Sequence, residues 1–331
     1  MSKPIYRDPV QDGAADPTVI RNVETGAWWL FYTNRQPAAE GGKRWIHGSP
    51  IGIAISKDDG ASWRYHGTVR GLDAPGDPVR NTHWAPEIIH DGALYHMYLT
   101  YISGVPDSTL AQHPRSIVHF TSLDLETWTR IGPITLSSNR VIDACVFACP
   151  DKLWRMWYKD EADGDSTWVA TSPDLYAWTV VERVIPGKPH ATPHEGPNVF
   201  YLLGWYWMVV DEWHGQAVYR SPDTLSWERR GIFGNEPGSE PDDLRYVRHV
   251  DVEVVADYAV CYYFTHPEWD ETSQSAGPQS VDARKTAIHH AILRVVNDDL
   301  QFQRDVDPKL PLLTEKSAFQ SVRTTGSKGH R

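Results

Sequence analysis

The chain has 331 residues, 40% of them hydrophobic, and its formal net charge at pH 7 is −11. This hydrophobic fraction is ample for a globular core, and an acidic chain without a basic cluster argues against nucleic acid as a partner. No apolar run approaches the ~18 residues of a membrane span, so we expect no membrane partner. The leading stretch Met1–Asp8 lacks the apolar core of a secretion signal, and we therefore expect a cytoplasmic protein.

A pattern of three runs recurs five times between about residue 14 and residue 306. Each unit has an apolar run headed by an acidic or polar residue, then an aromatic-rich run, then a run that leads into a Ser-x-Asp turn and an aromatic residue. The apolar runs are Asp16–Ile20, Pro86–Ile89, Ile142–Val146, Glu195–Val199 and Val250–Val254. The aromatic runs are Trp28–Tyr32, Tyr95–Tyr101, Leu153–Tyr158, Trp205–Val210 and Tyr258–Phe264. The turn segments are Ser56–Trp63, Ser122–Trp128, Ser172–Trp178 and Ser221–Trp227, with Asn297, Asp299 and Phe302 at the equivalent places of the fifth unit.

Repeats spaced by about 50 residues, with several strands in each unit, are typical of a β-propeller. Alternating hydrophobicity and turn residues are frequent, whereas helical periodicity is nearly absent. We therefore predict an all-β protein, a five-bladed β-propeller of four-stranded antiparallel blades, that forms a single domain over residues 1–316. Residues 317–331 are polar with little apolar content, which predicts a disordered C-terminal tail.

Strand direction predicts which ends of the strands meet. Consecutive strands of a blade run antiparallel, so the first strands begin on the same face of the disc on which the second strands end. The segments after the second strands are richly polar: Thr33–Arg35, Ser103–Gly104, Lys159–Glu161, Asp211–His214 and Thr265–His266. We therefore expect the functional site on this face, which we call the top face.

Three carboxylates, Asp16, Asp143 and Glu195, head first strands, and the repeat predicts that they occupy equivalent positions of the ring. Buried acids that face one another are costly unless they bind a cation or transfer protons. Two carboxylates across a polar pocket suit glycosidic bond cleavage, in which one acid protonates the leaving oxygen and an ionised carboxylate activates water. A third carboxylate nearby is expected to raise the pKa of the acid by like-charge repulsion.

Four short motifs occur in order and at blade spacing over nearly the whole chain: Ala15–Pro17, Trp84–Glu87, Ile142–Asp143 and Glu195–Pro197. This ordered set resembles glycoside hydrolase family 43 and its five-bladed relatives. The resemblance implies an inverting hydrolase in which Asp16 matches the general base, Glu195 the general acid, and Asp143 the residue that tunes and orients the acid. Inversion implies that the base and acid carboxyls lie roughly 6.5–9.5 Å apart, which leaves room for the water.

A second Asp-Pro pair, Asp8-Pro9, precedes the one at Asp16. Asp16 is preferred as the base because an apolar strand and then the aromatic run Trp28–Tyr32 follow it at blade spacing. Asp8 is expected to lie in a leading segment.

His249 comes just before the fifth first strand and matches a histidine that points into the central channel of these enzymes. The resemblance implies a structural calcium or sodium ion near it. Because calcium prefers oxygen ligands, we expect His249 to contact ion-bound water rather than the ion. A buried histidine with no ligand role is the alternative. The predicted chemistry itself requires no cofactor.

The expected partner is a small oligosaccharide that carries a terminal sugar of arabinose, xylose or galactose type. Six residues near the top face are predicted to contact it: Asn34, Arg35, His83, Trp84, Trp213 and His214. A tryptophan among them would stack on the C–H face of the terminal sugar. The long polar segment 272–284 is expected to overhang the same face.

Two other functions fit parts of the pattern. A sugar-binding propeller that lacks catalysis would explain the many tryptophans but not all three acids. A glycoside phosphorylase on a similar scaffold would need a phosphate pocket, for which Arg245 and Arg248 are the best-placed candidates.

Overall fold

The computed structural model describes residues 3–106, 113–270 and 280–308. Within these ranges twenty β-strands form five four-stranded sheets, each antiparallel and each in chain order from its first strand to its fourth. The prediction of a five-bladed β-propeller with four-stranded antiparallel blades is therefore confirmed. The predicted tail, residues 317–331, lies outside the described residues, as do residues 271–279 of the segment predicted to overhang the top face.

The strands of each blade have the following bounds. Blade one contains β1 Ala14–Arg21, β2 Trp28–Asn34, β3 Ile51–Ser56 and β4 Arg64–Thr68; blade two contains β5 Thr82–His90, β6 Tyr95–Ile102, β7 Ser116–Ser122 and β8 Thr129–Pro133. Blade three contains β9 Val141–Ala148, β10 Trp154–Asp160, β11 Ser166–Ser172 and β12 Thr179–Ile185; blade four contains β13 Glu195–Leu202, β14 Trp205–Asp211, β15 Gln216–Ser221 and β16 Glu228–Phe233. Blade five contains β17 Arg248–Val254, β18 Tyr258–Thr265, β19 Ala287–Val296 and β20 Asp299–Gln303.

Helical structure in the described ranges is limited to α1, Val281–Arg284, and two 3-10 turns at Glu161–Asp163 and Pro241–Asp243. None of these helices is long and apolar enough to cross a membrane.

Hydrophobic side chains fill the spaces between adjacent blades. Five buried clusters correspond to the five interfaces, including the one between blades one and five. Trp157 lies at the interface of blades three and four, and Trp207 at that of blades four and five, both with no exposed surface. Burial of such large rings stabilises these interfaces.

The Ser-x-Asp segments form the turns between the third and fourth strands. In blade two the Ser122 hydroxyl donates to Asp124 Oδ1 (3.0 Å), which also accepts from the backbone N–H groups of Glu126 and Thr127 (both 2.8 Å). Blade five uses a two-residue turn instead, with Asn297 and Asp298 at φ of 52° and 62°. Such φ values are typical of the tight turns that match strand twist.

The first strands β1, β5, β9, β13 and β17 pack side by side around the central axis, and β17 contacts β1 to complete the ring. Each has a register shift near its start, at a bulge. The residue at the bulge has a positive φ in every blade, and we call these five the bulge positions: Asp16 (48°), Ala85 (42°), Asp143 (56°), Gly196 (55°) and His249 (26°). A bulge re-aims the side chains that flank it.

The bulge corrects one prediction from the repeat. Asp16 and Asp143 occupy bulge positions, but Glu195 lies one residue earlier, and Gly196 is at the bulge of blade four. A β-carbon at Gly196 would lie 2.8 Å from His249 Nδ1, so the close approach of this ring, together with the positive φ, requires glycine. The three acids are thus not at equivalent positions.

Two residues after each bulge, a side chain links its first strand to that of the next blade. We call these five residues the channel ring: Thr18, Glu87, Cys145, Asn198 and Asp251. The links, in order, are Thr18 to Pro86 O, Glu87 Oε1 to Val146 N (2.7 Å), Cys145 Sγ to Val199 N (3.2 Å), Asn198 Nδ2 to Asp251 Oδ1 (3.3 Å) and Asp251 Oδ2 to Val19 N (2.7 Å). The backbone ladders join strands within a blade, whereas these side chains form hydrogen bonds between blades.

The leading segment closes the propeller on its outside. Tyr6 forms a bridge with Ile288 of β19 and shares a hydrogen bond with the Tyr32 hydroxyl (2.9 Å) in blade one. Asp8 is buried and accepts hydrogen bonds from Tyr32 (2.5 Å) and Asn34 (3.0 Å). Asp8 therefore lies in a leading segment, as expected.

Candidate active site

A cavity of about 740 Å³ opens at the top face, where the first strands begin. Its lining includes all three predicted carboxylates, Asp16, Asp143 and Glu195, and also Asp211 and His249. These residues come from β1, β9, β13, β14 and β17, so four blades supply ionisable groups to one cavity.

Asp16 is held by Arg35. The Arg35 Nη2 atom lies 3.1 Å from Oδ1 and 3.2 Å from Oδ2 of Asp16. Nη1 of the same guanidinium lies 3.3 Å from His266 Nε2, and the Arg35 Cζ atom lies 4.8 Å from the ring centroid of Phe264. Contacts on several sides fix the position of Arg35 and, through it, that of the Asp16 carboxylate.

Glu195 accepts a hydrogen bond on each oxygen. Trp213 Nε1 donates to Oε1 (2.9 Å), and the Lys159 ammonium donates to Oε2 (3.1 Å). Burial alone would raise the pKa of Glu195, but the positive charges of Lys159 and His249 outweigh it and lower that pKa below its usual range. The net shift of the Glu195 pKa in the free protein is therefore downward, although a nearby carboxylate was expected to raise it.

Asp143 has the elevated pKa instead. Burial raises it to about 7, with His249 opposing the shift and Glu195 adding to it. Its Oδ2 accepts the backbone N–H of Gly196 (3.2 Å), and its own N–H donates to Thr100 Oγ1 (3.0 Å). Asp143 thus orients the backbone beside Glu195, whose negative charge contributes to the raised pKa of Asp143.

Asp211 organises two other parts of the cavity. Its Oδ2 accepts the backbone N–H of His249 (2.8 Å), and its Oδ1 accepts that of Trp213 (2.7 Å). Burial raises the pKa of Asp211 to about 6, while Arg248 lowers it and Glu195 raises it further. The sequence places Asp211 near the pocket, but its role as an anchor depends on loop geometry that no motif encodes.

The ion expected near His249 stays a prediction. Across residues 3–106, 113–270 and 280–308, no group of three or more histidine, cysteine or acidic side chains has a geometry that could hold a metal. His249 Nδ1 lies 3.9 Å from Asp16 Oδ1. Although burial opposes its charge, Asp143, Asp16, Glu195 and Asp211 together raise the pKa of His249, which favours an imidazolium in the midst of these acids.

The predicted substrate contacts divide evenly. Arg35, Trp84 and Trp213 line the cavity, and each of the other three is the chain neighbour of one of them. Asn34 donates to Asp8, His83 Nε2 lies 3.3 Å from Asp73 Oδ1, and His214 packs edge-on against Tyr246 at 5.3 Å. Neighbouring side chains of a strand point in opposite directions, which explains why Trp84 of β5 reaches the cavity and His83 does not.

Blades one and five contribute an aromatic wall to the cavity. It lies across the cavity from Asp143 and Glu161 of blade three, and the repeat does not predict it. It consists of Trp45, His266 and Trp269, whose ring centroids are 5.0–6.2 Å apart. The Arg284 guanidinium lies 5.9 Å from the Trp45 ring, so the end of the predicted overhanging segment does reach the cavity. The position of His266 directly after a second strand was the one feature of the sequence that indicated an aromatic residue at this place.

The two arginines predicted for a phosphate pocket do not act together. Arg248 lines the cavity, whereas Arg245 donates from Nε to the carbonyl of Pro267 (3.2 Å) and is not among the lining residues.

Residues 6–221 match the family described as Glycosyl hydrolases family 43. Among solved structures, the fold is similar to a thermostable family-43 glycoside hydrolase at 17% identity, with 93% of this chain and 99% of that chain covered and a TM-score of 0.64. It is also similar to the GH43_1 enzyme from Xanthomonas citri complexed with xylotriose, at 15% identity, 87% and 90% coverage and a TM-score of 0.64. A β-xylosidase/α-arabinofuranosidase from a compost microbial metagenome, in complex with xylotriose and calcium-free, gives 14% identity, 87% and 94% coverage and a TM-score of 0.61. No curated protein matches the chain.

The family match extends over more than half of the chain, from the leading segment to the third strand of blade four. It includes all three carboxylates, and the similar folds agree with it. The chain therefore belongs to glycosyl hydrolases family 43 and is a glycosidase.

Proposed function

We propose that this protein is an inverting glycosidase that releases a terminal sugar of xylose or arabinose type from a short oligosaccharide. The observation that carries the proposal is the contrast between Asp16 and Glu195 in one cavity: Asp16 is paired with an arginine, while Glu195 is held by Lys159 and Trp213. The known structures with similar folds include complexes with xylotriose, which supports an oligosaccharide of this kind.

In the proposed reaction, Asp16 accepts a proton from a water molecule that attacks the anomeric carbon. Glu195 donates its proton to the glycosidic oxygen as the C–O bond breaks, and the sugar leaves with inverted configuration. Asp16 then loses its proton to solvent and Glu195 regains one. Arg35 keeps the Asp16 carboxylate in place, and Asp143 orients the backbone at Gly196 next to the acid.

The aromatic residues of the lining supply the sugar contacts in this proposal. Trp84 donates from Nε1 to the carbonyl of Ile46 (2.6 Å), which fixes the indole ring, and Trp213 is fixed by its bond to Glu195. Rigid rings present a flat face to the C–H groups of a sugar at low entropic cost. Galactosides remain a third sugar class for the same test.

The roles of the two acids are separable by leaving group. We expect Asp16→Asn to lower kcat by about 10²–10⁴-fold on xylobiose and on nitrophenyl glycosides alike, because both need the water activated. Glu195→Gln should lose a similar factor on xylobiose but much less on nitrophenyl glycosides, since nitrophenolate leaves without a proton. A panel of nitrophenyl xylosides, arabinofuranosides and galactosides, with kcat and KM measured for each, identifies the sugar at the same time.

Asp8→Asn is the matched control, because Asp8 also precedes a proline but is bonded to Tyr32 and Asn34 outside the cavity. It should keep the wild-type kcat per folded molecule. Proton NMR of the first-formed sugar should show the inverted anomer. Retention of configuration, or full activity of both acid variants, would contradict the proposed roles.

A further inference from the structure

Lys159 lies behind the cavity, at the end of β10, and is only 3% exposed. Its ammonium lies 3.1 Å from Glu195 Oε2 and 3.2 Å from Asp165 Oδ1, with Glu161 Oε1 at 4.0 Å. It also lies 5.0 Å from the ring centroid of Trp213. Lys159 is not among the residues that line the cavity, so it acts on the reaction only through its neighbours.

Both oxygens of Glu195 accept from groups that cannot accept in return. An ammonium and an indole N–H are donors only. A neutral carboxylic acid would accept from both donors more weakly than the carboxylate does, because hydrogen bonds to an ionised acceptor are the stronger ones. The geometry suits the carboxylate form, whereas a general acid must hold a proton when the leaving group departs.

Charged groups face Glu195 from every neighbouring element. Asp143 belongs to β9, Lys159 to β10, Asp211 to β14 and His249 to β17, while Glu161 and Asp165 follow β10. The two cations lower the pKa of Glu195 more than burial raises it, which agrees with the hydrogen-bond pattern. Asp165 is partly exposed and shares the Lys159 ammonium with Glu195, so it competes for that charge.

We propose that Lys159 is a positioning residue that holds Glu195 as a carboxylate in the free enzyme, with Asp165 setting how strongly it does so. This inference rests on the proposed role of Glu195 as general acid. The free enzyme must then take up a proton on Glu195 before it can cleave an unactivated substrate. Its kcat/KM on such a substrate falls at a lower pH than it would without the lysine.

Two variants test this in opposite directions. Lys159→Met removes the cation, so the basic limb of the pH profile of kcat/KM on xylobiose should move up by about one pH unit or more. Asp165→Asn removes the carboxylate that competes with Glu195 for the Lys159 ammonium, so the basic limb should move to lower pH. Lys159→Arg keeps the charge and should restore most of the wild-type profile. General structural damage would not move the limb in opposite directions.

Fluorine NMR of protein labelled with 5-fluorotryptophan gives a readout that needs no turnover, because the Trp213 indole donates to Glu195. The Trp213 resonance, assigned with Trp213→Phe, should titrate at a higher pH in Lys159→Met and at a lower pH in Asp165→Asn than in the wild type. Unchanged midpoints, or shifts in the same direction, would overturn the proposal. A wild type that cleaves none of the glycosides while the midpoints still move apart would refute the proposed function and leave the role of Lys159 standing.

Discussion

Gly196 is the residue at which backbone and chemistry constrain each other most closely. Its φ of 55° is unfavourable for most residues with a β-carbon, and a β-carbon there would lie 2.8 Å from His249 Nδ1 and 3.0 Å from Cε1. Its N–H also donates to Asp143. A side chain at this position would therefore push His249 away from the acids and disturb the strand that presents Glu195.

We expect Gly196→Ala to lower the free energy of unfolding by about 1–2 kcal/mol, the cost of a left-handed conformation with a β-carbon, and also to reduce kcat at least tenfold. Urea unfolding and steady-state kinetics measure the two effects. Gly204→Ala is the matched control, since Gly204 has a φ of 91° but nothing within 4 Å of its ideal β-carbon. Gly204→Ala should lose stability and keep kcat; equal kcat for both variants would contradict the argument.

The first strands are the elements on which the site is built, and the channel ring joins them. Burying an acid in this ring disfavours its charged form, as Glu87 shows. Burial and the nearby charge of Asp251 raise the pKa of Glu87 to about 8, against the opposing hydrogen bond from Val146. The folded-state pKa is above the ordinary value of 4.5, so folding favours the protonated acid. This contribution to stability is complete below pH 4.5 and is lost as the pH rises towards 8.

Glu87→Gln cannot ionise but keeps an oxygen for Val146 N–H. We expect its Tm to exceed that of the wild type at pH 8, with a gain in free energy of unfolding of at least about 1.4 kcal/mol, and the gain should vanish at pH 4.5. Thermal unfolding across this pH range tests it. Glu182→Gln in the exposed part of β12 should show no such pH-dependent gain. A gain independent of pH would show that ionisation of Glu87 is not its cause.

The start of each first strand also shows where sequence reasoning reached its limit. The order of strands and the face on which they begin followed from hydrophobic alternation and antiparallel pairing, so the convergence of Asp16, Asp143 and Glu195 was predictable. The one-residue offset of Glu195 was not predictable, because Gly196 is the sole residue whose type indicates a bulge at this point of the strand. Likewise, the opposite directions of His83 and Trp84 depend on register, which the repeat alone does not fix.

At the scale of the whole molecule, the leading segment joins blade five to blade one on the outside of the ring. Tyr6 is 6% exposed and packs in the cluster between these two blades. We expect Tyr6→Ala to lower the free energy of unfolding by about 3–5 kcal/mol, as for other buried aromatic residues. Tyr6→Phe should lose only about 1 kcal/mol, the net value of its hydrogen bond to Tyr32.

Denaturant unfolding of both variants checks this, with Tyr201→Ala as the control because Tyr201 is 41% exposed. A loss for Tyr6→Ala no larger than that of the control would show that the closure contributes little. The closure itself was not predictable from the repeat, since Tyr6 lies before the first unit and its partner Ile288 lies almost at the other end of the chain.

The bulge positions have a consequence for redesign. Aspartate is among the few residues that tolerate a left-handed backbone, and this backbone is already present in all five blades. Only two of the five carry an acid, while Ala85 in blade two has the same conformation and a small side chain. Ala85→Asp would thus add a carboxylate to the hub without a new backbone conformation. The bulge positions other than Gly196 therefore share a backbone that accepts an acid, and moving acids among these four is a way to change the charge of the hub without altering the blades.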